Sequence, residues 1–135
     1  MQGIIKSVYL RRKKTNAMAI STENVTSQMR KGILEYCILL IINKKPVYVS
    51  DIISELKEAH LIVVEGTLYP LLSRLKNGGL LSYQWQESVQ GPPRKYYELT
   101  DEGRGFLQEL EGAWNDIKCT IEKINTATSG DVQVN

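Results

Sequence analysis

The stretch EGTLYPLLSRLKNGGLL, from Glu65 to Leu81, leaves the chain few options. Leu68, Leu71, Leu72 and Leu75 recur at the three- and four-residue steps of an amphipathic helix and make one apolar stripe. Tyr69, Ser73 and Lys76 then fall together on the outer stripe, with Arg74 beside it. Gly66 supplies a turn before the helix, Thr67 or Gly66 itself is the expected cap, and Pro70 is expected in the first turn, where a missing N–H costs little. Gly78 and Gly79 stop the helix. A short helix that buries leucines and shows two hydroxyls and two cations is the fixed point for the rest of the chain.

Beyond the glycines the period changes from helical to alternating. LLSYQWQE places Leu81, Tyr83 and Trp85 on one side, and RKYYEL sets Tyr97 and Leu99 against Tyr96 and Glu98. Between them SVQGPP, with Gly91, Pro92 and Pro93, reads as a loop that continues neither strand. The result is a two-stranded hairpin whose return strand carries Arg94 and Lys95. Trp85 shares a face with Leu81 and Tyr83 and is expected to pack behind the hairpin. Thr100 is placed to cap a last helix, with Asp101 and Glu102 in the first turn, where the macrodipole favours anions. Phe106, Leu110, Ala113, Trp114, Ile117, Ile121 and Ile124 recur at steps of about four and three, the seam of a helix packed on another helix. From Asn125 the polar tail is expected to be disordered.

Upstream, a helix is expected from about Ser27. Ile33, Tyr36, Cys37, Leu40 and Ile41 make one stripe and Leu34, Ile38 and Ile42 a second, so this helix is buried on two sides, which in a small domain suggests a partner subunit. Ser50 is placed as the cap of a second helix with Ile52, Ile53, Leu56 and Ala59 inward, and His60 ends it. Leu61 to Val64 are either a short strand or a buried connection.

Composition narrows the function more than the fold. One histidine, His60, and two distant cysteines, Cys37 and Cys119, give no metal site, no disulfide framework and no catalytic triad. Both cysteines are expected to be buried small hydrophobes, no cofactor is called for, and an enzyme is not expected. No segment is apolar for long enough to span a bilayer, and MQGIIKSVYLRRKK does not read as a secretory signal, so the expected location is the cytoplasm. Residues 1–28 hold five basic side chains against Glu23, while residues 29–135 hold 12 basic and 14 acidic ones. Within residues 66–95, Arg74, Lys76, Arg94 and Lys95 oppose Glu87 alone.

Three helices followed by a hairpin is the order of a winged helix-turn-helix, a mainly α fold with a small β-hairpin, here extended by a C-terminal dimerisation helix. In that architecture the third helix enters the major groove and the hairpin, the wing, reaches the DNA backbone or minor groove. The polar stripe and the wing cations then meet double-stranded DNA, with affinity that falls steeply with salt. A monomer has one recognition helix, so a homodimer is expected, with Leu110, Ile117 and Ile121 in its interface. A protein-interaction module that keeps the fold without reading DNA is the alternative, suggested by the six acids against three bases in residues 100–124.

EGTLYPLLSRLKNGGLL, then Trp85, then GPPRKYYELTDEG resembles the PadR family of bacterial transcriptional regulators over roughly residues 29–124. The resemblance implies a winged-helix repressor that dimerises through its last and first helices, binds a pseudo-palindromic operator, and is often released by a small molecule or other signal. On this resemblance Thr67, Tyr69, Pro70, Ser73 and Arg74 belong to the recognition helix, and Gly91, Pro92, Pro93, Arg94 and Lys95 to the wing. Tyr48 would open the second helix near DNA; the family's glycine and tyrosine are replaced in PVYVS by Val49 and Ser50, which still offers a hydroxyl. A single C-terminal helix resembles the family's short form. Some of its members hold flat aromatic ligands between paired tryptophans, and Trp114 lies at a matching position, either as part of such a pocket for a small aromatic effector or as a dimer-core aromatic. The expected organisation is a flexible basic arm over 1–26, a DNA-binding domain over 27–99, a dimerisation helix over 100–124 and a disordered tail over 125–135.

Overall fold

The computed structural model describes residues 20–133, with side chains described as far as residue 126. The charges expected in the arm up to Lys14 lie outside the described residues. Five helices and strands follow α1 (Thr22–Lys44) in the order α2 (Val49–Glu58), α3 (Glu65–Asn77), β1 (Leu81–Ser88), β2 (Gly91–Leu99) and α4 (Asp101–Gln133). The fold is mainly helical with one antiparallel hairpin. Two compact units divide within α1, residues 1–34 and residues 35–135.

In the first unit α1 starts at Thr22, five residues ahead of the expected Ser27. The Ser21 hydroxyl explains the shift: its Oγ accepts from the Asn24 backbone N–H at 3.1 Å, and Glu23 follows in the first turn.

In the second unit the core is built by Ile38, Leu39 and Ile42 of α1, Ile52 and Leu56 of α2, and Leu68 and Leu72 of α3, all essentially inaccessible. Val49 joins the α2 face, whereas Ala59, expected inward, is exposed because the helix is already unwinding there. At that end His60 takes a left-handed φ of 64°. Its N–H donates to the Lys57 carbonyl and the Leu61 N–H to that of Leu56, the paired bonds of a Schellman motif. The connection to α3 is neither a strand nor wholly buried, since Ile62 and Val64 face solvent. At the start of α2, Tyr48 and not the expected Ser50 precedes the helix, and its backbone N–H donates to Asp51 Oδ2 at 3.0 Å.

α3 begins at Glu65, so neither Gly66 nor Thr67 is its cap; both lie inside the first turn, and the Thr67 and Leu68 N–H groups bond to the Val64 carbonyl. Pro70 consequently sits in the second turn. The bond it cannot make leaves the carbonyl of Gly66 without a helical donor, and because Gly66 is exposed, water can serve that oxygen. Gly79, at φ 81°, closes the helix with a second Schellman pair, Gly79 to Lys76 and Leu80 to Leu75.

β1 and β2 pair with Leu81 opposite Leu99 and Tyr83 opposite Tyr97. Val47, ahead of α2, exchanges two backbone bonds with Tyr97 at 3.0 and 2.8 Å, so the start of α2 is tied to the hairpin base. Pro92 and Pro93 lie within β2 and not in a loop; the turn is Val89 and Gln90 alone. Between the pairs Gln86–Arg94 and Ser88–Gly91 β1 advances two residues and β2 three, and the prolines occupy that bulge, where no ladder N–H is required of them.

Thr100 caps α4 as expected: its Oγ1 accepts from the Gly103 N–H at 2.9 Å and donates to the Gly79 carbonyl at 2.7 Å. Leu107 is buried, and Phe106, Leu110 and Trp114 are half-buried. Ile117, Ile121 and Ile124 are 51%, 55% and 66% exposed, so this chain alone leaves the far half of the seam uncovered. The helix runs to Gln133, past the expected end near Ile124, because no proline interrupts it and each added residue closes another backbone bond. Cys37 is half-buried, and burial pushes its thiol pKa up; Cys119, expected inside, is exposed on α4. Among the described residues no helix is long and apolar enough to cross a membrane.

Candidate nucleic-acid interface

The bridge from Val47 to β2 places the first residues of α2 against the wing, and the side chains there interlock. The Tyr48 ring carries the Arg94 guanidinium 3.9 Å from its centroid and meets Tyr96 edge-on at 4.6 Å. Its hydroxyl donates to Gln86 Oε1 at 3.1 Å, while Arg94 also donates to the Ser50 hydroxyl. Arg94 is therefore preorganised: its planar cation lies on an aromatic face, with donors left over for a phosphate.

Further down the wing Lys95 stands 4.6 Å from the centre of the Tyr83 ring and 5.4 Å from that of Trp85. Lys76, in the last turn of α3, reaches the same Tyr83 ring at 5.4 Å. The phenol pKa of Tyr97, beneath them, is raised first by burial and then by Tyr69 and Tyr83, which keeps it a neutral donor.

Between the start of α2, α3 and the wing lies an open groove of about 380 Å³. Of the expected DNA-binding residues, Tyr48, Ser50, Tyr69, Pro93, Arg94 and Lys95 line it together. Thr67, Pro70 and Ser73 are exposed on α3 outside the groove lining, and Pro92 is exposed on the wing. Arg74 faces elsewhere: it pairs with Glu35 of α1. Five residues separate it from Tyr69, about 140° around the helix axis, so the two flank opposite edges of the outer stripe.

Trp85 and Glu65 also line the groove, and neither was expected there. Trp85 is 61% exposed, not packed behind the wing. Burial along the face that starts at Leu81 fades toward the hairpin tip, and alternation marks the face without marking where the core beneath it ends.

A cationic, aromatic-lined groove beside a helix N-terminus suits a phosphate backbone and the base edges next to it. The profile of the transcriptional regulator PadR-like family matches residues 38–109, just over half of the chain. The chain belongs to the PadR family. Solved structures agree. A PadR-like transcription factor from Bacteroides fragilis is 66% identical, with 75% of this chain and 98% of that one covered at a TM-score of 0.65. A PadR-like regulator from Bacillus cereus is 38% identical over 72% of this chain and 95% of its own, also at 0.65. A PadR family regulator from Eggerthella lenta is 31% identical over 76% and 89%, at 0.70. An uncharacterised protein of Lysinibacillus sphaericus is 31% identical over 101 residues, 73% of this chain and 93% of the relative. The protein is thus a PadR-family transcriptional regulator with a winged-helix fold, and PadR-family regulators are generally not enzymes.

The second set of expected residues forms a separate surface of this PadR protein. Trp114 and Leu110 are half-covered by their own chain, and Ile117 and Ile121 are open. On α1, Tyr36, Cys37 and Leu40 are half-buried, and the Tyr36 phenol is held above its ordinary pKa by desolvation, with Glu111 of α4 the next cause.

Proposed function

We propose that this regulator binds double-stranded DNA as a homodimer on a pseudo-palindromic operator, in the cytoplasm, and represses transcription from it. The observation that carries this reading is the groove: Tyr69 of α3, Tyr48 and Ser50 of α2, and Arg94 and Lys95 of the wing converge on one concave surface. Arg94 and Lys95 neutralise phosphates, the hydroxyls donate to phosphates or base edges, and the exposed face of α3 around Ser73 enters the major groove. Arg74, paired with Glu35, acts chiefly by holding α3 on α1.

A second copy is the natural cover for α4, because three isoleucines at seam spacing are left more than half exposed. Two α3 helices related by a twofold axis would read half-sites one turn, about 34 Å, apart. Trp114, half-covered on the same seam, would stand near its twin, and a flat aromatic effector between the two would shift the spacing of the recognition helices.

A gel-shift titration against the DNA upstream of the protein's own gene, with random duplex as competitor, tests the reading. Preferential binding by a species that sediments as a dimer is expected. Equal binding to operator and random duplex, or a monomer at micromolar concentration, would refute it and favour an interaction module.

A further inference from the structure

Glu65 is the first residue of the recognition helix, and it lines the groove with Arg94 and Lys95. Among the described residues its carboxylate makes no side-chain hydrogen bond and no ion pair, although two cations line the same groove. A carboxylate there stabilises the helix start through the macrodipole, but it also places a negative charge where phosphates must approach. On a DNA-facing surface the cost of such a charge is offset where it meets a base-edge donor.

The major groove offers two donors, the N4 amino group of cytosine and the N6 amino group of adenine. Adenine N6 lies between two acceptors, its own N7 and the O4 of thymine, and both repel a carboxylate. Cytosine N4 has an acceptor, guanine O6, on one side only and a C–H on the other. Recognition helices contact base edges with their N-terminal residues, the position that Glu65 holds.

We propose that Glu65 is a specificity-determining residue that reads one C·G pair in each half-site by accepting from cytosine N4, while Arg94 and Lys95 hold the flanking phosphates. The inference rests on the DNA-binding reading above. It divides the groove into cations that supply affinity for any duplex and one anion that excludes most sequences. Guanine, whose N7 and O6 are both acceptors, is rejected most strongly at that position.

The test is selection from a randomised duplex library with the full-length protein and with Glu65→Ala and Glu65→Gln, each checked for an unchanged far-UV spectrum and for dimerisation. The wild type is expected to enrich a two-fold motif with one cytosine per half-site that no other base replaces, its substitution costing about tenfold in affinity. Glu65→Ala should enrich the same motif with that single position open to any base, and should bind random duplex more tightly than the wild type. Glu65→Gln should turn the position toward adenine, which glutamine can bond in bidentate fashion. An unchanged motif in both variants would overturn the proposal and leave Glu65 a helix-stabilising acid. A wild type that enriches no motif would overturn the DNA-reading function itself, and the inference with it.

Discussion

Gly103, in the first turn of α4, packs against Leu80 and Leu99 of the winged helix, and its replacement by alanine is the sharpest structural test. A Cβ at this position would lie 2.1 Å from the Leu80 carbonyl oxygen, 3.1 Å from its carbon and 3.2 Å from Leu99 Cδ2. The first obstacle is backbone, so no rotamer change relieves it; the first turn of α4 must move by about 1 Å to restore an ordinary contact. That movement pulls on the two hydrogen bonds through which Thr100 Oγ1 ties Gly103 to Gly79. Overpacking costs about 1–3 kcal/mol and each weakened bond about 1 kcal/mol, so a total of roughly 3–5 kcal/mol is expected. Against a stability of about 5–15 kcal/mol this is a large loss. Gly105→Ala is the control, since its added Cβ meets nothing within 4 Å, and it should be neutral or stabilise by up to about 1 kcal/mol. Urea unfolding followed by far-UV circular dichroism reads both. A Gly103→Ala midpoint equal to wild type would refute the geometry of the Leu80–Gly103 contact.

His60→Gly relieves the only left-handed non-glycine φ among the described residues and should raise stability by about 0.5–1 kcal/mol in the same unfolding assay. Ile121→Asp, on the uncovered seam, should turn a dimer into a monomer in sedimentation velocity while leaving the far-UV spectrum unchanged. With a thiol reagent near neutral pH, exposed Cys119 should react well before Cys37, whose raised pKa leaves less thiolate; Cys37 should accelerate as pH rises toward that value.

The helices of the winged domain were legible because their periodicity is local. Leu68, Leu72 and Leu75 are buried as their spacing requires, and Gly79 takes the positive φ expected of a helix stop. The alternation of the hairpin gave its inward face, as the Leu81–Leu99 and Tyr83–Tyr97 pairs show. What escaped detection depends on distant partners. The Val47–Tyr97 bridge joins single residues 50 positions apart and leaves no periodic trace. Arg74 and Lys76 are like charges two positions apart, yet one finds Glu35 on α1 and the other Tyr83 on the wing. Pro92 and Pro93 signal a loop until the bulge that excuses their missing N–H groups is seen. In the groove Tyr69, Arg94 and Lys95 came from stripe and charge, while Trp85 and Glu65 were legible only once the wing was placed beside α3.

The most direct test of the central claim, that the groove between α3 and the wing holds the DNA backbone, is the salt dependence of binding to random duplex for the wild type and for Arg94→Ala with Lys95→Ala. Each phosphate neutralised contributes about 0.9 to the slope of log K against log salt, so the double variant of a dimer should lose up to about 3.6 in slope. A double variant with the wild-type slope would show that phosphates are bound elsewhere and would contradict the account.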